Sequence, residues 1–208
     1  MEFKFSSFFF ISLFIFAGFV ISTKASIIKK QECKVYQPMQ GFDKSKFFSG
    51  SWYTTHIQKI YLTSKDVCQK FKFQISSDGS IQQITKFYLE EIKGLINAEG
   101  PITSDSNFGD GLGVFNWTFH FVRDGKRVDD NTFTFPITVL DTDYDNYAIL
   151  YSCRVIFNFL LIDELSILRR DKEAELNPKI KEVLSKAGVD FDKLSSRKSV
   201  ECPEDPNF

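Results

Sequence analysis

The sequence predicts an all-β domain, either a closed antiparallel barrel or a two-sheet sandwich, followed by a single helix. Short runs of alternating apolar and polar residues fill most of the chain, and Asp-Gly turns punctuate them. The hydrophobic period changes to a helical one only near the end.

The first element is set apart from the fold. "MEFKFSSFFFISLFIFAGFVISTKAS" has a short head with Lys4, an apolar run from Phe8 to Ile21, and the small residues Thr23 and Ala25 where a signal peptidase reads. The run is short for a membrane span of about 20 residues. Residues 1–25 are therefore expected to be a signal peptide and 26–208 the secreted domain, with no later segment suited to crossing a membrane. Removing a leader that carries Lys4, Lys24 and Glu2 moves the formal charge from −1 to −2. Such a near-neutral balance gives no reason to expect nucleic acid as a partner.

The strands come next. "WYTTHIQKI", "VCQKFKFQI", "IQQITKFYL", "LINAEGPIT", "VFNWTFHFV", "TFTFPITVL", "NYAILYSC" and "ELSILRR" read as strands, with "SSDGS" and "RDGKRVDDN" as hairpin connections. In the fifth run Phe115, Trp117, Phe119 and Phe121 share one face, opposite Asn116, Thr118 and His120. Asn116-Trp117-Thr118 is a glycosylation sequon, so Asn116 is expected in solvent and the aromatic row inside. The same alternation turns Phe71, Phe73 and Ile75 inward, and likewise Phe133, Phe135, Ile137 and Val139. With Phe87, these rows nominate Phe71, Phe73, Phe115, Trp117, Phe119, Phe133 and Phe135 as the lining of an apolar interior without inward charges.

Behind the strands, "NPKIKEVLSKAG" offers Asn177 as N-cap, Pro178 at the first helical position and Gly188 as the stop. Its stripe of Ile180, Val183, Leu184 and Ala187 must lie against the outside of the sheet. Four cysteines, Cys33, Cys68, Cys153 and Cys202, suit two disulfides in an oxidising compartment. Their wide spacing speaks against zinc, and three connectivities remain open.

Catalytic chemistry is not indicated. The two histidines, His56 and His120, are expected on solvated strand faces, and no triad, metalloprotease or phosphate-loop motif is present. No metal or cofactor is expected. Acidic residues expected at an open end, Glu90, Glu91, Glu99 and Asp105, could bind a cationic amine if they converged, though loop acidity is commonly a matter of solvation.

Three quoted stretches together resemble the lipocalins. Gly50-Ser51-Trp52 after "GFDKSKFFSG" is similar to their G-x-W motif, "TDYDNYA" with Thr142, Asp143 and Tyr144 resembles their second motif, and "ILRRD" resembles the third, with Arg170 the better match and Arg169 the alternative. The resemblance implies an eight-stranded up-and-down barrel, a calyx, with the helix packed outside. It also implies that the arginine covers Trp52 at the barrel floor in a cation–π contact. Likeness to bilin-binding proteins, apolipoprotein D and the triabin- and nitrophorin-like salivary lipocalins implies the pairing Cys33–Cys153 and Cys68–Cys202. Nitrophorin-like members hold haem through a strand histidine, but the matching stretch "TKFYL" has none and offers only Tyr88. The implied activity is binding of a small hydrophobic molecule by a secreted monomer. The rival is a triabin-like protein that grips a host protein through exterior loops, with a small or filled cavity.

Overall fold

A computed structural model describes residues 32–59, 67–89, 93–156 and 160–203. The expected signal peptide and two of the acidic residues, Glu90 and Glu91, lie outside the described residues. The elements are α1 (Lys44–Phe47), β1 (Ser51–Lys59), β2 (Gln69–Ile75), β3 (Ile81–Leu89), β4 (Gly94–Thr103), β5 (Val114–Arg123), β6 (Lys126–Arg127), β7 (Phe133–Thr142), β8 (Tyr147–Ile156), β9 (Leu160–Arg169), α2 (Pro178–Lys186) and β10 (Ser195–Ser196).

Two of the strands, β6 and β10, are two-residue additions; the other eight run up and down in the order β1-β2-β3-β4-β5-β7-β8-β9. The last returns to the first, from Tyr53↔Arg169 to Lys59↔Glu164, so the sheet closes into an antiparallel barrel without free edges. β2 pairs with β1 only at Ser51, Trp52 and Tyr53. Further along, β10 from the tail pairs with His56 and Ile57. A bulge between Thr54 and His56 bends β1 at the change of partner.

Closure produces two apolar layers, one within the barrel and one outside it. Inside, toward the closed end, Phe42, Phe47, Phe48, Trp52, Phe73, Phe115 and Leu168 pack in one cluster. Outside, Ile149, Tyr151, Leu165 and Ile167 of β8 and β9 are covered by Ile180 and Leu184 of α2, both fully buried. The helix begins as its sequence directs, with the Asn177 side chain accepting from Lys179 N and Pro178 in the first turn. It ends at Gly188, whose φ of +70° suits glycine.

Disulfides join Cys33 to Cys153 and Cys68 to Cys202, with Cα separations of 5.6 and 5.5 Å. They span 120 and 134 residues, so each contributes roughly 3–5 kcal/mol in the chain-entropy account. One strand-phase expectation is corrected. Ile75 is 52% exposed, because it ends β2 beside the Ser76–Ser80 turn, beyond the packed interior.

Candidate ligand cavity and its closed floor

The floor is built from the segment that precedes β1. Asp43 caps α1 by accepting from Ser45 N and Lys46 N, and this one-turn helix drives Phe47 and Phe48 into the barrel at 1% exposure each. Trp52 follows after Gly50, whose φ of +62° turns the chain into the strand. The indole is fully buried, donates from Nε1 to Phe47 O at 2.9 Å, and lies 5.6 Å from the Phe47 ring.

Arg170, not Arg169, covers that indole, with its guanidinium carbon 3.6 Å from the ring centroid. Its Nε donates to Tyr144 O at 2.9 Å, Nη1 donates to Ser49 O and Ser51 O, and Nη2 donates to Lys46 O and Phe47 O. One planar cation therefore ties α1, the start of β1 and the β7–β8 turn together, which a lysine could not do. Burial pulls the Arg170 pKa down, and nearby Asp145 acts in the opposite direction. Arg169 points elsewhere and donates from Nε to Asn146 O at 3.0 Å.

The turn that receives Arg170 is itself saturated. Asp143 accepts from Asn146 N, Asn146 Nδ2 and Tyr147 N, and Thr142 Oγ1 donates to Tyr147 O while accepting from Tyr144 N. Burial pushes the Asp143 carboxyl up, but these hydrogen bonds outweigh it and its pKa is lowered. Tyr144 takes a φ of +68°, rare for a residue with a side chain. Its hydroxyl holds it there by accepting from Asp43 N and donating to Gly41 O.

Above the floor the barrel encloses a cavity of about 240 Å³. Phe71, Phe73, Phe87, Phe115, Trp117, Phe119 and Phe135 all line it, joined by Phe47, Phe121, Ile137, Leu150 and Leu168. Trp117 and Phe119 stack at 4.1 Å. Phe133 is the exception among the nominated residues. It is not part of the lining and packs beside two residues that are, 5.6 Å from Phe119 and 5.5 Å from Phe121.

The expectation of an interior without charge is overturned. Glu164 lines the cavity, together with Gln69, Gln83, Thr85, Ser152 and Ser166. Most of these polar groups are tied to neighbours: Ser166 Oγ donates to Glu164 at 2.7 Å, Gln83 Nε2 to Thr85 Oγ1 at 2.9 Å, and Thr54 Oγ1 to Gln69 at 3.2 Å. Two are not, Trp117 Nε1 and Ser152 Oγ, which are buried without a hydrogen-bond partner. The missed residues had a signal. In β9, Glu164 and Ser166 alternate with Leu165 and Ile167, and the apolar pair belongs under α2 rather than inside.

The two acidic residues that are described, Glu99 and Asp105, do not converge. Glu99 stands on the outer face of β4, opposite in phase to the lining residue Ala98. Asp105 sits in the β4–β5 connection, whose Phe108 packs against Phe42 and Phe48 at the closed end. His56 is also less solvated than expected. Its ring lies 4.9 Å from Phe191, and burial, then Arg169 and Lys198, lower its pKa.

The family model described as nitrophorin matches residues 33–208. Triplatin of Triatoma infestans is 31% identical over 83% of this chain and 87% of its own. Apolipoprotein D of Macaca fascicularis is 26% identical over 90% of this chain and 93% of its own. Among solved structures, the tryptamine complex of the amine-binding protein of Rhodnius prolixus superposes with a TM-score of 0.69 at 24% identity, covering 85% of this chain and 92% of that one. The chain belongs to the nitrophorin family, within the lipocalins.

A haem, which the nitrophorin name brings to mind, does not fit this lipocalin's cavity. Among the described residues the lining offers no imidazole, thiolate or thioether to serve as an axial ligand. Tyr88 packs with Cys68 and Leu95 in a separate apolar cluster, on the opposite face of β3 from the lining residue Phe87. Among the described residues no cluster of histidine, cysteine or acidic groups could hold a metal ion, and no helix is long and apolar enough to cross a membrane.

Proposed function

We propose that this lipocalin is secreted and binds a small, flat, mostly apolar molecule inside the calyx, to carry it or hold it out of solution. The observation that carries the reading is the unfilled space of about 240 Å³ behind a closed floor, walled by aromatic side chains from β2, β3, β5 and β7. Aromatic walls favour flat guests, because ring faces and edges pack at defined offsets. The same space weighs against the reading in which exterior loops grip a host protein and the barrel is filled. Secretion is supported by the likeness of residues 1–25 to a signal peptide and by two disulfides, which persist in oxidising compartments. Asn116, on the face of β5 opposite Trp117, would then carry the glycan.

The chain has only two tryptophans, one in the floor and one in the cavity wall, so fluorescence tests the reading directly. A panel of bilins, retinoids, eicosanoids, fatty acids and aromatic amines is titrated into the secreted protein. Uptake should quench emission from Trp117, and a Trp117→Phe variant should keep binding while losing most of the quench. No response to any class, with calorimetry equally silent, would remove the carrier reading.

A further inference from the structure

A second cleft, of about 190 Å³, lies outside the barrel, where the chain leaving β9 and the C-terminal tail meet β1. Among the described residues four cations line it, Arg169, Lys172, Arg197 and Lys198, against the one carboxylate of Glu175. On a chain of formal charge −1 this is a local concentration of one sign. The bulge in β1 gives two consecutive residues, Thr55 and His56, to the cleft, where a regular strand would alternate. Ser196 of β10 pairs with His56, and the Cys68–Cys202 disulfide anchors the tail beyond it, so Arg197 and Lys198 are held in place by the fold itself.

Arg169 is only 5% exposed, and its Nε donates to Asn146 O. Nη1 and Nη2 make no hydrogen bond among the described residues, yet both keep accessible surface, so the end of the fork is reachable. A nearly buried guanidinium with no carboxylate beside it carries a desolvation cost that an incoming anion offsets. Lys172 also stands outside every ion pair of the described residues. Lys198 meets only Glu175, at 3.8 Å and with the Glu175 side chain 97% exposed, a weak surface pair. Arg197 is buried and donates from Nη1 to Val67 O; burial lowers its pKa, and Glu173, then Tyr53, act the other way. With Glu173 counted, four cations still face two carboxylates. The positive field registers at His56, whose pKa is lowered by burial first and then by Arg169 and Lys198.

We propose that this cleft is a second binding site, separate from the calyx, for a phosphate group, with Arg169 and Lys172 as its principal contacts. A phosphate carries close to two negative charges at neutral pH and three acceptor oxygens, which suits an excess of two cations and a planar fork. Leu176 and Phe191 on the apolar side of the cleft leave room for the organic part of a small phosphomonoester.

Calorimetry and NMR on the full secreted protein test this with inorganic phosphate, phenyl phosphate and benzoate, each compared with sodium chloride at matched ionic strength. Phosphate should bind saturably and move the imidazole signals of His56, while those of His120, on β5, stay still. Phenyl phosphate should bind several-fold tighter than phosphate, and benzoate, with half the charge, about tenfold weaker than phenyl phosphate. Equal affinity for phosphate and phenyl phosphate would assign the site to the free ion. Arg169→Gln should weaken phosphate binding about tenfold and Lys172→Gln about threefold, with no change in Lys179→Gln on α2, which does not line the cleft. Arg169 also holds Asn146, so the exposed-side variant Lys172→Gln carries the test if Arg169→Gln fails to fold. His56 shifts no larger than those in chloride, or phosphate affinity unchanged in Lys172→Gln, would overturn the proposal. Quenching of Trp117 by calyx guests is read separately, so either site can fail without the other.

Discussion

The floor and the wall of this barrel treat polar groups in opposite ways. At the floor, Trp52 Nε1 donates to Phe47 O, all three nitrogens of the Arg170 guanidinium reach carbonyl oxygens, and Asp143 takes three hydrogen bonds. A few residues higher the second tryptophan has its indole nitrogen buried and unpaired, and Ser152 matches it. The same side-chain type thus has its donor paired in one place and unpaired in the other. Saturation gives rigidity, so the floor belongs to stability. A buried donor left without a partner adds nothing to stability, so the wall carries a cost that the floor avoids.

The largest effect expected to break this contrast is at the plug. Trp52→Ala removes a fully buried indole from the cluster of Phe42, Phe47 and Phe48 and strips Arg170 of its ring. Loss of roughly 3–5 kcal/mol is expected in chemical denaturation, the range for deleting a large core aromatic. A loss below about 1 kcal/mol would mean that the floor is not what holds the barrel closed. Arg170→Lys comes next, at about 2 kcal/mol. It keeps the charge but forfeits the planar fork that reaches Tyr144, Ser51 and Lys46 together. If lysine proves equivalent, the tie is electrostatic only and the hydrogen bonds contribute little.

Asp143 sharpens the comparison through pH. Its folded pKa lies below the ordinary carboxylate value, so its contribution is complete above about pH 4 and is lost as pH falls through the folded value. Asp143→Asn should cost on the order of 1 kcal/mol at neutral pH. The difference in thermal midpoint between wild type and variant should shrink toward zero below the carboxylate range. A difference that stays constant down to low pH would show that the amide, not the charge, is what the turn lacks.

The floor was legible in the sequence because its parts are local or carry distinctive chemistry. "GFDKSKFFSGSW" holds the cap, the helix and the plug within one short stretch, and Arg170 sits at the end of the last strand. The aromatic side of the wall was legible because β5 and β7 alternate large rings with polar residues along 115–121 and 133–135, so alternation names the inside. The polar side was not. The outer faces of β8 and β9 are covered by α2, so their more apolar residues, Ile149, Leu165 and Ile167, face outward, and the interior receives Ser152, Glu164 and Ser166. Where both faces of a strand are buried, the rule that the greasier face is the inner one fails. Asp105 was misplaced for a different reason: which end of a barrel a loop occupies depends on counting every strand, not on its acidity.

The smallest expected effect is the most discriminating. A hydroxyl that is buried without a partner gives the fold nothing, so deleting it leaves a slightly larger apolar surface and no orphaned group. Ser152→Ala should therefore change unfolding free energy by less than about 0.5 kcal/mol, and a slight gain is the favoured sign. Thr142→Val is the matched control from the floor, where the deleted hydroxyl donates to Tyr147 O and accepts from Tyr144 N. It should cost about 1–2 kcal/mol, because both partners are left behind. If the two substitutions cost the same, Ser152 has a partner, most simply a bound water. The wall would then be as saturated as the floor.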